Sequence, residues 1–231
     1  MTNCIDKDGL KILIITDSPN LYTGLGRVSR HLVRGLSDGN EVFVGAWGWD
    51  QEAYPINDEF KWIYEDESEG NSYVAFPLSK NPKKLIVQTY EVMKLVEPDV
   101  IITVGDYWNF AGFELLKEKF SYSFRWIAYL TIESHPINEG FVDFFNSIDK
   151  VVTPSMYGKR VVESSTECKS CAYVPYGVND VDFYKLEDET IQRERDIRGL
   201  NGKFRFINVG KNTSRKNIHR NTIAALAACC W

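Results

Sequence analysis

Lys11-Ile-Leu-Ile-Ile-Thr16-Asp17-Ser-Pro-Asn-Leu-Tyr-Thr-Gly24-Leu-Gly26-Arg27 is the stretch that decides how this chain folds. Its first six residues form a nearly unbroken apolar run, the pattern of a strand buried on both faces of a parallel sheet. A loop follows from Asp17. Val28, Leu32, Val33 and Leu36 then recur at helical spacing, so a helix is expected from about Leu25 to Leu36. Ser37-Asp-Gly-Asn40 stops it, and Glu41 to Trp47 reads as the next strand. Strand, helix and strand make a βαβ unit with a right-handed crossover. The turn carries Gly24 and Gly26 without the third glycine of a dinucleotide fingerprint, so no NAD site is assigned. The two glycines either let backbone amides and Arg27 approach a ligand at the strand's carboxyl end, or simply ease a tight turn.

The α/β alternation continues. Asp50 to Gly70 is acidic and turn-rich with a short strand candidate at Phe60–Tyr64, and Ser72–Phe76 is another. Lys83 to Val96 has a broad apolar helical face and is closed by Pro98. Asp99–Val104 reads as a buried strand, Phe110–Phe120 as a helix and Arg125–Ile132 as a strand. Phe141, Phe144 and Phe145 read as core. Lys150–Thr153 is a short strand, and Ser155 caps a helix reaching about Glu163. Ala172–Pro175 is extended, and the charged run from Asp180 to Asn201 connects two domains and carries one helix. The fold class is therefore α/β, a doubly wound Rossmann-like parallel sheet with an incomplete second domain of the same kind. The domains are expected at residues 1–183 and 203–231, with 184–202 as linker.

The 231 residues are 44% hydrophobic and 26% charged, within the ordinary globular range. A net charge of −5 argues against a protein that coats nucleic acid. No apolar run reaches the roughly 18 residues of a membrane span, and the polar N-terminus lacks a signal-peptide core, so a cytoplasmic protein is expected. Peripheral membrane association stays open. The cysteines at 4, 168, 171, 229 and 230 supply one zinc-like spacing, Cys168-Lys-Ser-Cys171, with no second pair to complete it. Free thiols and no metal are expected.

Near the end, Phe204 to Val209 reads as a strand that breaks at Gly210. Lys211, Arg215 and Lys216 follow, then a helix from Ile218 to Ala228. Backbone amides and dipole at that helix start, with three cations, suit a phosphate; an ordinary turn with solvated cations is the plainer alternative. Glu133 and His135 follow a strand's carboxyl end, where acid–base or substrate-contact residues collect in such sheets, although His135 equally suits a surface loop.

These segments together resemble the retaining, family 4-like glycosyltransferases of the GT-B fold. Thr23-Gly24-Leu-Gly26-Arg27-Val-Ser-Arg30 is similar to that family's first glycine loop and helix. Asp149 to Ser155 is similar to its segment near the end of the first domain. Val174-Pro-Tyr-Gly177-Val-Asn179 resembles its segment before the linker, and Val209-Gly210-Lys211 with Arg215-Lys216-Asn217 the one that opens the donor domain. The resemblance implies a nucleotide-diphospho-sugar as substrate, such as a UDP- or GDP-sugar, and no other cofactor. It implies that Gly210, Lys211, Arg215 and Lys216 hold the diphosphate, with Lys211 replacing the family's usual arginine. It places Gly24, Gly26 and Arg27 near the donor phosphates and the acceptor, and leaves the sugar contact to Thr131, Glu133 or His135. The acceptor (glycan, lipid or protein) is not specified. The family's paired-glutamate segment would lie beyond Trp231, so impaired transfer is expected of the 231-residue chain unless another chain complements it. The alternatives are a non-catalytic Rossmann-like module that binds an acceptor or partner, and an unrelated α/β enzyme using the glycine loop for another phosphorylated ligand.

Overall fold

The computed structural model describes residues 9–47, 62–66, 71–120, 122–180, 183–203, 207–210 and 213–228. The chain divides into two compact units, Met1–Gly177 and Val178–Trp231. Eight strands in the order β3-β4-β2-β1-β5-β6-β7-β8 build the N-terminal unit. They are β1 (Lys11–Asp17), β2 (Glu41–Trp47), β3 (Trp62–Asp66), β4 (Asn71–Leu78), β5 (Val100–Asp106), β6 (Arg125–Thr131), β7 (Lys150–Thr153) and β8 (Cys171–Tyr173). Every pair is parallel except β3 with β4. Strand order reverses between β1 and β5, which pair from Ile12↔Val100 to Ile15↔Thr103. In open α/β sheets, ligands collect outside the carboxyl ends of strands at such a switch point.

Alternation along β1 sends Leu13 and Ile15 to one face and Ile12 and Ile14 to the other. All four are at most 4% exposed, which is why this strand reads as a solid apolar run. On the Ile12 side, α1 (Gly24–Leu36) buries Val33 and packs Leu25, Val28 and Leu32 against the sheet. On the other side lie α2 (Pro82–Val96), α3 (Glu114–Lys119), α4 (Val142–Ser147) and α5 (Met156–Ser165), contributing Leu85, Met93, Leu116, Phe144, Phe145 and Val162. The aromatic residues at 144 and 145 are core, as the sequence suggests.

Local chemistry fixes the helix ends. Asn81 accepts hydrogen bonds from the Lys83 and Lys84 amides, Pro82 supplies the first helical position, and Glu97 ends α2 at φ 49°. Ser155 accepts from the Gly158 amide at the start of α5. One expected helix is shorter than its pattern suggests. Phe110–Phe120 is not continuous: residues Tyr107–Phe110 form a 3-10 turn, Gly112 turns the chain at φ 93°, and α3 begins only at Glu114.

The C-terminal unit holds α6 (Asp188–Ile197) and α7 (Ile218–Ala228). In the expected strand Phe204–Val209, residues 204–206 lie outside the described ones. Ile207–Val209 pair with no strand among the described residues, and Ile207 and Val209 are 74% and 89% exposed. The expected strand at Phe60–Tyr64 starts among residues outside the described ones and is observed over Trp62–Asp66.

Candidate functional site

The glycine loop sits at the carboxyl end of β1. Thr23 has extended backbone geometry and caps α1, its hydroxyl oxygen accepting from the Gly26 amide at 2.9 Å. Gly26 is wedged against the loop: a Cβ there would lie 2.4 Å from the Leu21 carbonyl oxygen and 3.0 Å from that of Ser18. Gly24 faces open space, where a Cβ would have no neighbour within 4 Å. The two glycines thus do different jobs. Gly26 lets the helix start press onto the loop, and Gly24 leaves the first turn uncovered. Arg27 is exposed on that turn, and Arg30 reaches back to hold the Pro19 carbonyl through Nε (3.2 Å) and an Nη (2.8 Å).

Asp17, the last residue of β1, is 5% exposed. One carboxylate oxygen accepts from the Thr23 hydroxyl at 3.0 Å, and the other lies 2.8 Å from Lys80 Nζ, just past β4. Lys80 Nζ also lies 5.9 Å from the centre of the Trp47 ring, at the end of β2. These contacts join the carboxyl ends of β1, β2 and β4 to the start of α1. Neither Asp17 nor Lys80 is marked out as a site residue by the sequence alone. A carboxylate six residues before a helix cap is a signal only once the strand end is known.

A second group forms where β5, β6 and β8 end. Asp106 and Thr131 are register partners. The Tyr176 side chain hydrogen-bonds Thr131 and feels the Asp106 charge, and its ring lies 5.2 Å from that of Tyr129. Burial pushes the Tyr176 phenol above its ordinary range; the Thr131 hydrogen bond opposes the shift and Asp106 adds to it. Burial likewise pushes Tyr129 up to about 12, and its hydroxyl donates to the Val174 carbonyl at 2.7 Å. Of the three residues that the resemblance offers for a sugar contact, Thr131 is half-buried in this group. Glu133 and His135 lie beyond it, both exposed, after the buried Ile132.

In the C-terminal unit, Gly210 and Lys216 are exposed, and Ser214–Lys216 form a 3-10 turn that carries the Arg215 backbone to the start of α7. Asn217 takes a left-handed conformation between them, at φ 47°. Lys211 lies outside the described residues. Cys168 and Cys171 are free thiols, burial pushing Cys171 up to about 12. Among the described residues no three metal-ligating side chains come together, and no helix is long and apolar enough to cross a membrane.

No protein-family model and no curated protein matches the chain. Solved structures do. A sucrose-phosphate synthase from Thermosynechococcus elongatus aligns over 82% of this chain and 98% of its own, at 14% identity and TM-score 0.50. The trehalose-6-phosphate synthase OtsA in its apo form aligns over 81% and 55%, at 8% identity and TM-score 0.52. A trehalose-6-phosphate synthase described with bisubstrate glycomimetics and glycosyltransfer with retention aligns over 79% and 53%, at 8% identity and TM-score 0.50. The chain thus spans about half the length of the trehalose-phosphate synthases it matches. The likeness shows the fold: the chain has the Rossmann-like α/β architecture of GT-B glycosyltransferases.

Proposed function

We propose that this chain carries the acceptor-side unit and the beginning of the donor-side unit of a retaining, family 4-like glycosyltransferase. It moves a sugar from a nucleotide-diphospho-sugar, such as a UDP- or GDP-sugar, to an acceptor. The observation that carries this reading is the glycine loop. Gly26 is packed where no side chain fits, Gly24 leaves the first turn of α1 open, and Arg27 is exposed on the same turn at the carboxyl end of the central strand. Helix-start amides and a cation at a switch point are suited to phosphate. The likeness in fold to sucrose-phosphate and trehalose-phosphate synthases supports it.

In this reading Lys211, Arg215 and Lys216 beside Gly210 neutralise the departing diphosphate, an electrostatic role that needs no covalent intermediate. Thr131, Tyr176 and Asp106 offer hydroxyl and carboxylate partners to a sugar, with Glu133 and His135 on the segment beyond. Calorimetric titration of the full chain with UDP-glucose and GDP-glucose tests the proposal, alongside transfer assays with radiolabelled sugar. Binding that is weakened about tenfold or more by Lys216→Ala is expected, from loss of one charge-assisted phosphate contact. A chain that binds neither nucleotide-sugar refutes the reading. Binding of a glycan acceptor by such a chain would instead identify a non-catalytic binding module.

A further inference from the structure

We propose that Asp17 is a positioning residue for the glycine loop. Its carboxylate, acting through the Thr23 hydroxyl, holds the first amides of α1 in the orientation that receives the donor's phosphate. This role rests on the glycosyltransferase reading above and falls to a residue outside the glycine motif.

A threonine hydroxyl has one proton to donate and lone pairs to accept with, whereas an ionised carboxylate only accepts. Thr23 gives its proton to Asp17 at 3.0 Å, so a lone pair is left for the Gly26 amide at 2.9 Å. Asp17 therefore sets the polarity of the chain that runs from the end of β1 into α1. Thr23 could cap the helix without it, as caps commonly do, but its rotamer would then be free to turn toward water. Asp17 is 5% exposed, and the loop between it and Thr23 is tied down on both sides. The Ser18 amide donates to the Trp47 carbonyl at 2.8 Å, and Arg30 holds Pro19. Thr16 Oγ1 and Trp47 Nε1 are buried nearby but make no hydrogen bond with the described residues, so they do not share the task.

A carboxylate beside a phosphate site needs its own charge offset, and Lys80 supplies this. Its ammonium lies 2.8 Å from the second carboxylate oxygen and is itself 61% exposed. The pair presents little net charge toward the helix start, so the carboxylate can orient Thr23 without repelling an anion. Lys80 is reached from β4, which makes the glycine loop depend on the far half of the sheet.

The test is a double-mutant cycle in the full chain with Asp17→Asn, Thr23→Val, their combination, and Thr23→Ser. Two quantities are read: hydrogen exchange of the Leu25 and Gly26 amides without ligand, and the dissociation constants of UDP, GDP and inorganic pyrophosphate. Each of Asp17→Asn and Thr23→Val is expected to speed Gly26 exchange about tenfold and weaken the tightest-binding probe about tenfold. The combination should also give about tenfold, not a hundredfold, because both changes break one relay. Thr23→Ser keeps the hydroxyl and should stay near wild type. Unchanged Gly26 exchange in Asp17→Asn, or multiplicative effects in the combination, overturns the proposal, as do altered exchange rates with unaltered probe affinity. Should Asp17→Asn fail to fold, Asp17→Glu takes its place in the same cycle, since it keeps the charge and moves the carboxylate away from the Thr23 hydroxyl. A wild-type chain that binds no probe but shows the coupled exchange pattern overturns the glycosyltransferase reading while supporting Asp17 as the residue that orders the loop.

Discussion

Gly24 and Gly26 differ by two residues in position and entirely in environment, and their alanine variants separate fold from function. At Gly26 a new methyl group meets two backbone carbonyl oxygens, neither of which can swing away as a side-chain tip would. Overpacking of that kind costs about 1–3 kcal/mol, which exceeds the gain of up to about 1 kcal/mol from replacing a helical glycine. Gly26→Ala is therefore expected to lower stability by about 1–2 kcal/mol in urea melts. Gly24→Ala meets nothing and should be neutral or slightly stabilising, yet should weaken any phosphate ligand by covering the open turn. Far from the loop, Asp149 shows the same dependence on surroundings. Burial raises its pKa, but hydrogen bonds from Lys117 (2.5 Å), the Trp126 amide (2.8 Å) and Lys169 (3.4 Å) outweigh burial and hold it below the usual carboxylate range. A depressed pKa contributes stability above the unfolded value, near 4, that is lost as pH falls through the folded value. Asp149→Asn should cost about 1–3 kcal/mol at neutral pH and flatten the acid limb of stability below about pH 4, as followed by thermal melts across pH.

At the scale of elements, legibility followed the reason for burial. β1 and β5 are covered on both faces, so their apolar runs announce them. The Ser155 cap of α5 is local, one side chain reaching an amide three residues on, and such a pattern survives in sequence. α3 was found, but its start was read four residues early because Phe110 and Phe113 keep helical spacing while packing as a tertiary cluster. Their rings are 5.4 Å apart, and Phe110 lies 5.1 Å from Trp47, with Gly112 breaking the helix between them. Of the Phe204–Val209 pattern only residues 207–209 are among the described ones. Alternation describes a strand only when another strand pairs with it, and Ile207 and Val209 are exposed and pair with no strand among the described residues. The glycine loop was visible from spacing; the group around Tyr176 was not, because it needs β5 beside β6 and the segment after β8 brought to their ends across β7. Tyr129 ties that last edge together through the Val174 carbonyl. Tyr129→Phe removes one hydrogen bond to a carbonyl that water can reach, so a loss of about 1 kcal/mol is expected. Amide exchange should quicken around residues 174–176 and remain unchanged in β1 and β5.

At the scale of the whole molecule, the division at Gly177 and Val178 separates two very different kinds of chain. The N-terminal unit contains all eight strands, α1 to α5 and both apolar clusters, one on each face of the sheet. A segment of that size buries enough surface to fold by itself. The C-terminal unit has two helices and no strand among the described residues, and its large apolar side chains are mostly outside: Ile197 is 72% exposed, Ile223 64% and Leu226 64%. The hydrogen bonds among its described residues include local ones, as where the Asn221 amide meets the Asn217 carbonyl and the Thr222 hydroxyl meets the Ile218 carbonyl. Among its described residues little offsets the backbone entropy of ordering, about 1–2 kcal/mol per residue. A fragment of residues 1–177 should therefore unfold cooperatively, with a midpoint within about 4 °C of the full chain's. A fragment of residues 178–231 should show partial helix by circular dichroism and no cooperative transition. Calorimetry of the two fragments checks both outcomes. A fragment 1–177 that fails to fold would mean that the sheet depends on the segment after Gly177, and the assignment of the core to the first unit alone would then be wrong.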